Sequence, residues 1–237
     1  MIRVGCAGYP VGRDRYWRSL SFVETDTGKA MPRIATLAAW RADIPTGGEA
    51  ALQALRTITH GPEDRGFPVA NRKLPKNRQA LCGSFRESLE VHEAWMATKA
   101  GAEALGAKIV VFETPASFQP GSDRLRDMYR FFKGIVRGKL TIVWHPRGSE
   151  WSSLEDKVCA ELGLIRAFDP LRQPPPRKGV FLYMRPGVPG LGSLGVDSMA
   201  TIAGAAAEVP SYVALGHRAS FRDAERLKDL LGSKRAR

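Results

Sequence analysis

Long apolar runs are missing from this 237-residue chain. Nothing in it approaches the roughly 18 consecutive apolar residues that cross a bilayer. The opening MIRVGCAGYP breaks with glycine, proline and charge where a signal peptide needs an apolar stretch. The expectation is a cytoplasmic protein with no membrane partner. Cysteine is scarce: Cys6, Cys82 and Cys159 are far apart and odd in number, which fits neither a disulfide framework nor a zinc spacing. No GxGxxG follows the first strand candidate, so a dinucleotide fold loses its best support. There is no HExxH, and neither Ser84 nor Ser117 sits in a GxSxG elbow. Acidic residues are in deficit, 24 against 36 Lys and Arg, for a net charge of +12. That balance favours polyanionic or phosphorylated partners, although simple solubility is served by it equally well.

What the chain does contain is a steady alternation. Short β-branched runs, the strand candidates, lie at Ile2–Cys6, Phe22–Thr25, Ala50–Ala54, Lys108–Glu113, Leu140–Trp144, Leu164–Phe168, Val180–Met184 and Tyr212–Leu215. Several are nearly continuous apolar runs, as strands covered on both faces of a parallel sheet should be. Amphipathic stretches fill the gaps at Ile34–Asp43, Ser88–Leu105, Asp123–Val136, Ser152–Leu162, Val196–Ala207 and Phe221–Leu231. Gly106 and Gly232 stand where helix-ending glycines belong. Eight strands, each followed by a helix or a long loop, predict an α/β fold of the TIM-type (β/α)8 barrel class as a single domain over residues 1–232. An open doubly wound sheet is the alternative. The tail 233–237 is basic. Residues 61–84 (GPEDRGFPVANRKLPKNRQALCGS) form one long irregular insertion after the third strand, rich in proline and basic residues.

In a barrel, binding and catalysis belong at the C-terminal strand ends. Those positions hold Tyr9, Glu24, Asp26, Arg56, His60, Glu113, His145, Arg147, Asp169, Arg185, His217 and Arg218. Three of the four histidines fall in this set, while His92 lies on a helix. Any barrel rim is polar, since loops need solvation. Even so, the gathering of imidazoles and guanidiniums favours a site.

At these residues the chain resembles a known family. VGCAGYP, FVET, ALRTITH, EALGAKIVVFETPASF and HPRGSEW, followed by DPL and YMR, resemble in order and spacing the YecE-like barrels, the domain of unknown function 72 family. The resemblance covers nearly the full length and implies a TIM-type barrel related in shape to sugar isomerases and endonuclease-IV-like enzymes, with no settled reaction. It carries over Glu24, His60, Arg147, Trp151, Asp169, Tyr183 and Arg185. The chain departs from the family pattern at Gly28, Lys29 and Ala30, at Gln53 in place of lysine, and at His145 in place of glutamate. It departs again at Pro186 in place of histidine, and at Gly216 and His217. A glutamine cannot act as cation, Schiff-base amine or general acid.

Three readings follow. In the first, a rim of Tyr9, Arg56, His145, Arg147, Arg185, His217 and Arg218 binds a phosphorylated small molecule or nucleic acid, with nucleic acid favoured. The insertion would add Arg65, Arg72, Lys73, Lys76 and Arg78, with Phe67 as its one ring for stacking. The glycine-rich stretch Gly187–Gly195 would offer backbone N–H groups to phosphate. The basic run Arg124–Lys139 is read as a solvated helix face. In the second, Glu24, His60 and Asp169 are catalytic in a phosphoester hydrolase, with a divalent metal as the one cofactor considered. The third is a barrel that has lost catalysis and serves a protein partner.

Overall fold

The computed structural model describes residues 1–176, 179–187, 192–207 and 209–235. Its strands are β1 (Ile2–Ala7), β2 (Phe22–Thr25), β3 (Glu49–Gln53), β4 (Ile109–Glu113), β5 (Thr141–His145), β6 (Ile165–Phe168), β7 (Leu182–Met184) and β8 (Ser211–Leu215). Its helices are α1 (Arg13–Ser19), α2 (Ile34–Asp43), α3 (Lys76–Gln79), α4 (Leu89–Leu105), α5 (Ser122–Gly134), α6 (Glu155–Leu162), α7 (Val196–Ala207) and α8 (Ser220–Arg235). The strands follow one another in chain order and close into a barrel, β8 pairing with β1. The (β/α)8 class expected from the alternation is the fold observed, and each of its eight strands falls at a predicted run. No helix among the described residues is long and apolar enough to cross a membrane.

The chain packs as two compact units. One comprises Met1–Thr25, Ala42–Ala50 and the chain from Ile165 onward; the other comprises Asp26–Arg41 and Ala51–Leu164. In the first, β1 pairs with β2 through Gly5↔Phe22, and β7 pairs with β8 through Tyr183↔Tyr212. In the second, β4 and β5 run in register from Ile109↔Thr141 to Glu113↔His145, which brings a carboxylate and an imidazole to adjacent strand ends. The core of this second unit is aromatic: Phe85, Trp95, Phe112, Phe118, Phe132, Trp144 and Trp151 are all buried.

Several boundaries differ from expectation for local reasons. Helix α6 begins at Glu155 rather than Ser152, because the chain first makes a 3-10 turn that buries Trp151. The indole stacks on Phe118 (centroids 5.4 Å apart) and donates to the Phe118 carbonyl at 2.5 Å. Helix α8 runs past Gly232 to Arg235, since one exposed interior glycine costs only about 1 kcal/mol. Residues 236 and 237 of the basic tail lie outside the described residues. The insertion is not irregular throughout: it contains a 3-10 turn at Asn71–Lys73 and the short α3. Helix α1 was not expected from the sequence, because its apolar signal is only two rings, Tyr16 and Trp17.

Tyr16 nevertheless holds the start of the sheet together. Its hydroxyl donates to the Phe22 carbonyl at 2.6 Å and accepts from the Cys6 N–H at 2.7 Å, bridging β2 and β1. Gly5 makes this possible, since a Cβ there would lie 1.8 Å from the Phe22 carbonyl oxygen. Burial pushes the Tyr16 phenol far above its ordinary pKa and the adjacent Cys6 thiol up to about 11, so both stay neutral. Tyr16→Phe would leave a buried donor and a buried acceptor unpaired. The expected outcome in urea denaturation is a loss of about 2–4 kcal/mol with the fold retained.

Candidate functional site

The β3–β5 unit gathers five of the predicted rim residues. Glu113, at the end of β4, is at the centre, with its side chain 11% exposed. Arg56 approaches its Oε1 at 3.2 Å, Arg147 approaches the same oxygen at 3.6 Å, and His145 Nδ1 lies 3.6 Å from Oε2. Arg56 and His145 are largely buried, whereas the Arg147 side chain is 57% exposed. A largely buried carboxylate facing two guanidiniums satisfies the charge rules of a desolvated site. Arg147 is the one that faces solvent.

His60 belongs to the same cluster and is buried. Burial, reinforced by the nearby Arg56, pushes its imidazole down to about 4 against the opposing pull of Asp64 and Glu113. At neutral pH it is therefore an uncharged ring, with Nδ1 2.8 Å from the Thr59 hydroxyl. A backbone strap fixes its position. The N–H groups of Gly83, Ser84 and Phe85 donate to the carbonyls of Thr57, Thr59 and Ile58 at 2.8, 3.2 and 2.9 Å. All three strap residues have positive φ (84°, 53° and 57°), a conformation that costs non-glycine residues about 1–2 kcal/mol each. The Phe85 ring offsets this by packing into the aromatic core, 5.1 Å from Phe132 and 5.4 Å from Phe118. Gly83 admits no side chain, because a Cβ would lie 2.6 Å from the His60 carbonyl carbon.

The insertion folds onto this segment through Asn71, whose side-chain amide donates to Thr57 Oγ1 at 2.7 Å. Arg65, Arg72, Lys73 and Lys76 are exposed, while Arg78 is paired with Glu90 at 2.7 Å. Phe67, expected as a stacking ring, is buried beneath the Arg72 guanidinium (5.6 Å to the ring centroid) and offers no face to a base. Two departures from the family pattern meet here: a Cβ on Gly28 would lie 3.2 Å from Gln53 Oε1, and the Gly28 carbonyl accepts from the Arg56 N–H at 2.6 Å.

In the other unit the predicted residues have separate partners. Glu24 is fully buried; Tyr183 donates to its Oε2 at 2.7 Å and Arg185 approaches Oε1 at 3.1 Å. Burial and that carboxylate push the Tyr183 phenol well above its ordinary range, so it stays a donor. Asp169 accepts from the Leu171 N–H at 3.0 Å and faces Arg172 at 3.5 Å, the pattern of a turn-forming aspartate. His217 Nε2 lies 2.7 Å from Asp223, a fully buried carboxylate that also takes the Leu194 N–H at 2.7 Å and the Ser193 hydroxyl at 2.5 Å. Burial alone would raise the Asp223 pKa, but the Ser193, Leu194 and His217 bonds together hold it low. Tyr9 is half-buried and meets Tyr16 edge-on, and Arg218 is exposed. Residues 188–191 of the glycine-rich stretch lie outside the described residues.

Asp223 was missed from the sequence because it sits inside a helix rather than at a strand end; the one available signal was its place in the first turn of α8. For a metal, the donor types are present but not grouped. Among the described residues no three His, Cys, Asp or Glu side chains come together in a way that could hold an ion.

The state of His60 is measurable. By NMR its ring should remain neutral through pH 6.5 and titrate near pH 4. A folded-state pKa below the unfolded value means stability that is full above about pH 6.5 and is lost as the pH falls toward 4. Denaturation of His60→Asn across that window should lose up to about 3 kcal/mol less than the parent chain.

No protein-family model matches the chain, and no curated protein does either. Solved structures do. A domain of unknown function 72 (DUF72) protein from Enterococcus faecalis V583 superposes with a TM-score of 0.72 at 12% identity, covering 98% of each chain. A DUF72 protein from Thermotoga maritima MSB8 gives 0.67 at 14% identity, covering 98% of this chain and 99% of that one. The chain thus shares, over nearly its whole length, the fold of the DUF72 proteins that its sequence motifs resemble.

Proposed function

We propose that this chain is a divergent DUF72-type barrel whose β3–β5 strand ends bind a phosphorylated ligand, with nucleic acid the favoured class. The observation that carries this reading is Arg147. It is more than half exposed just after the end of β5, with its guanidinium 3.6 Å from the largely buried Glu113 carboxylate. A guanidinium facing solvent beside a buried carboxylate is suited to the two oxygens of a phosphate. His145 stands beside it, and Arg56 and Glu113 are positioning residues behind. The exposed Arg65, Arg72, Lys73 and Lys76 of the same unit extend the positive field, which suits a chain of phosphates better than a single one.

The buried state of Phe67 refines the reading. Without an aromatic platform in the insertion, contacts go to the backbone of the nucleic acid and sequence preference is weak. The hydrolase alternative has less support. It needs several donors around one ion, and Glu24 and Asp169 are each engaged with an arginine of their own.

Fluorescence anisotropy with a labelled 20-nucleotide single strand tests the proposal across a salt series. Affinity should fall steeply with salt, and Arg147→Ala should weaken it and flatten the log–log slope by about 0.7–1, the share of one phosphate contact. Binding indifferent to salt, or an unchanged slope in Arg147→Ala, would overturn the assignment.

A further inference from the structure

A concave site lies between α4 and α5, and none of the strand-end cluster residues Arg56, His60, Glu113, His145 and Arg147 lines it. It encloses about 510 Å³, within the range of clefts that hold small organic molecules. From α4 and its N-cap Ser88 come Ser88, His92, Trp95, Met96 and Lys99, spaced along one side of the helix over about 16 Å. The floor is aromatic: Phe131 packs 5.3 Å from Phe85 and 6.2 Å from Trp95, both buried, so its shape is set by the core beneath. The edges are apolar yet solvent-facing, with Met96 51% and Val136 72% exposed. Met96 and Val136 thus give the groove an apolar rim beside its aromatic floor.

The charges around the groove are mostly positive. Arg86, Lys99 and Arg130 line it, and Glu87 is its one acidic residue among those described. Glu87 and Arg130 meet across the entrance at 3.5 Å, but at 82% and 59% exposure that pair is weak and yields readily to a ligand acid group. A bare polyanion would satisfy the cations and leave the floor and Met96 uncovered. A neutral hydrocarbon would cover the floor and gain nothing from three cations.

We infer that the α4–α5 groove is a binding site for a small amphiphilic organic anion, with its apolar body on the Trp95–Phe131 floor and its acid group between Lys99 and Arg130. The matched probes are 8-anilino-1-naphthalenesulfonate and N-phenyl-1-naphthylamine, which share one ring system and differ in the sulfonate. Fluorescence titration of the native protein should show saturable one-to-one binding of the sulfonate, with the neutral amine about tenfold weaker. Met96→Glu and Arg130→Ala, both at exposed positions, should each lower the sulfonate affinity about three- to tenfold. Arg222→Ala, an exposed cation of the other unit, should leave it unchanged. Equal affinity for the two probes, or a sulfonate affinity untouched by Met96→Glu and Arg130→Ala, would overturn the site. Unchanged urea midpoints of the variants would establish that any loss reflects the groove rather than unfolding.

Discussion

A carboxylate at the end of β4 cannot be kept largely buried without cations at hand, and the loops after β3 and β5 are organised to supply them. Register places Glu113 beside His145 across the two strands. Arg56 comes from the turn after β3 and Arg147 from the loop after β5, both converging on one oxygen. The desolvation cost of Glu113 is offset by this pairing. Two guanidiniums thus face the single charge of this carboxylate, one of them buried and one exposed. The exposed member of the pair is Arg147.

The same rule recurs in the other unit with a different result. Glu24 is saturated by Tyr183 and Arg185, and Asp223 by Ser193, Leu194, His217 and Arg226. Acids closed off in this way hold loops and strands together and have little spare capacity for a ligand. His60 shows a complementary economy. A buried imidazole beside Arg56 is most stable uncharged, so the ring contributes packing and hydrogen bonding to the cluster rather than charge.

The departures from the family pattern are local and mutually adjusted. Where a lysine would stand, Gln53 is buried against Gly28, and the narrow backbone of Gly28 lets the loop after β2 reach Arg56. Where a glutamate would stand, His145 borrows the charge of Glu113 from the neighbouring strand. Histidine at 217 gains a buried aspartate as its partner.

By itself the sequence determined the architecture. Eight apolar runs separated by amphipathic segments have few solutions other than a parallel sheet covered by helices, and the strand-end position of Arg56, His60, His145 and Arg147 follows from that alternation alone. Local signals also set the caps of α4, where Ser88 accepts from the Val91 N–H and Gly106 turns left-handed. Tertiary structure alone decided which polar residues share a carboxylate, which imidazole is buried, and that Phe67 faces inward. Those outcomes depend on contacts between segments tens of residues apart, and on positive-φ strap geometry at Ser84 and Phe85 that only packing around the Phe85 ring can sustain. Side-chain type reveals what chemistry is possible; burial and distance, set by the whole fold, determine which of it is realised.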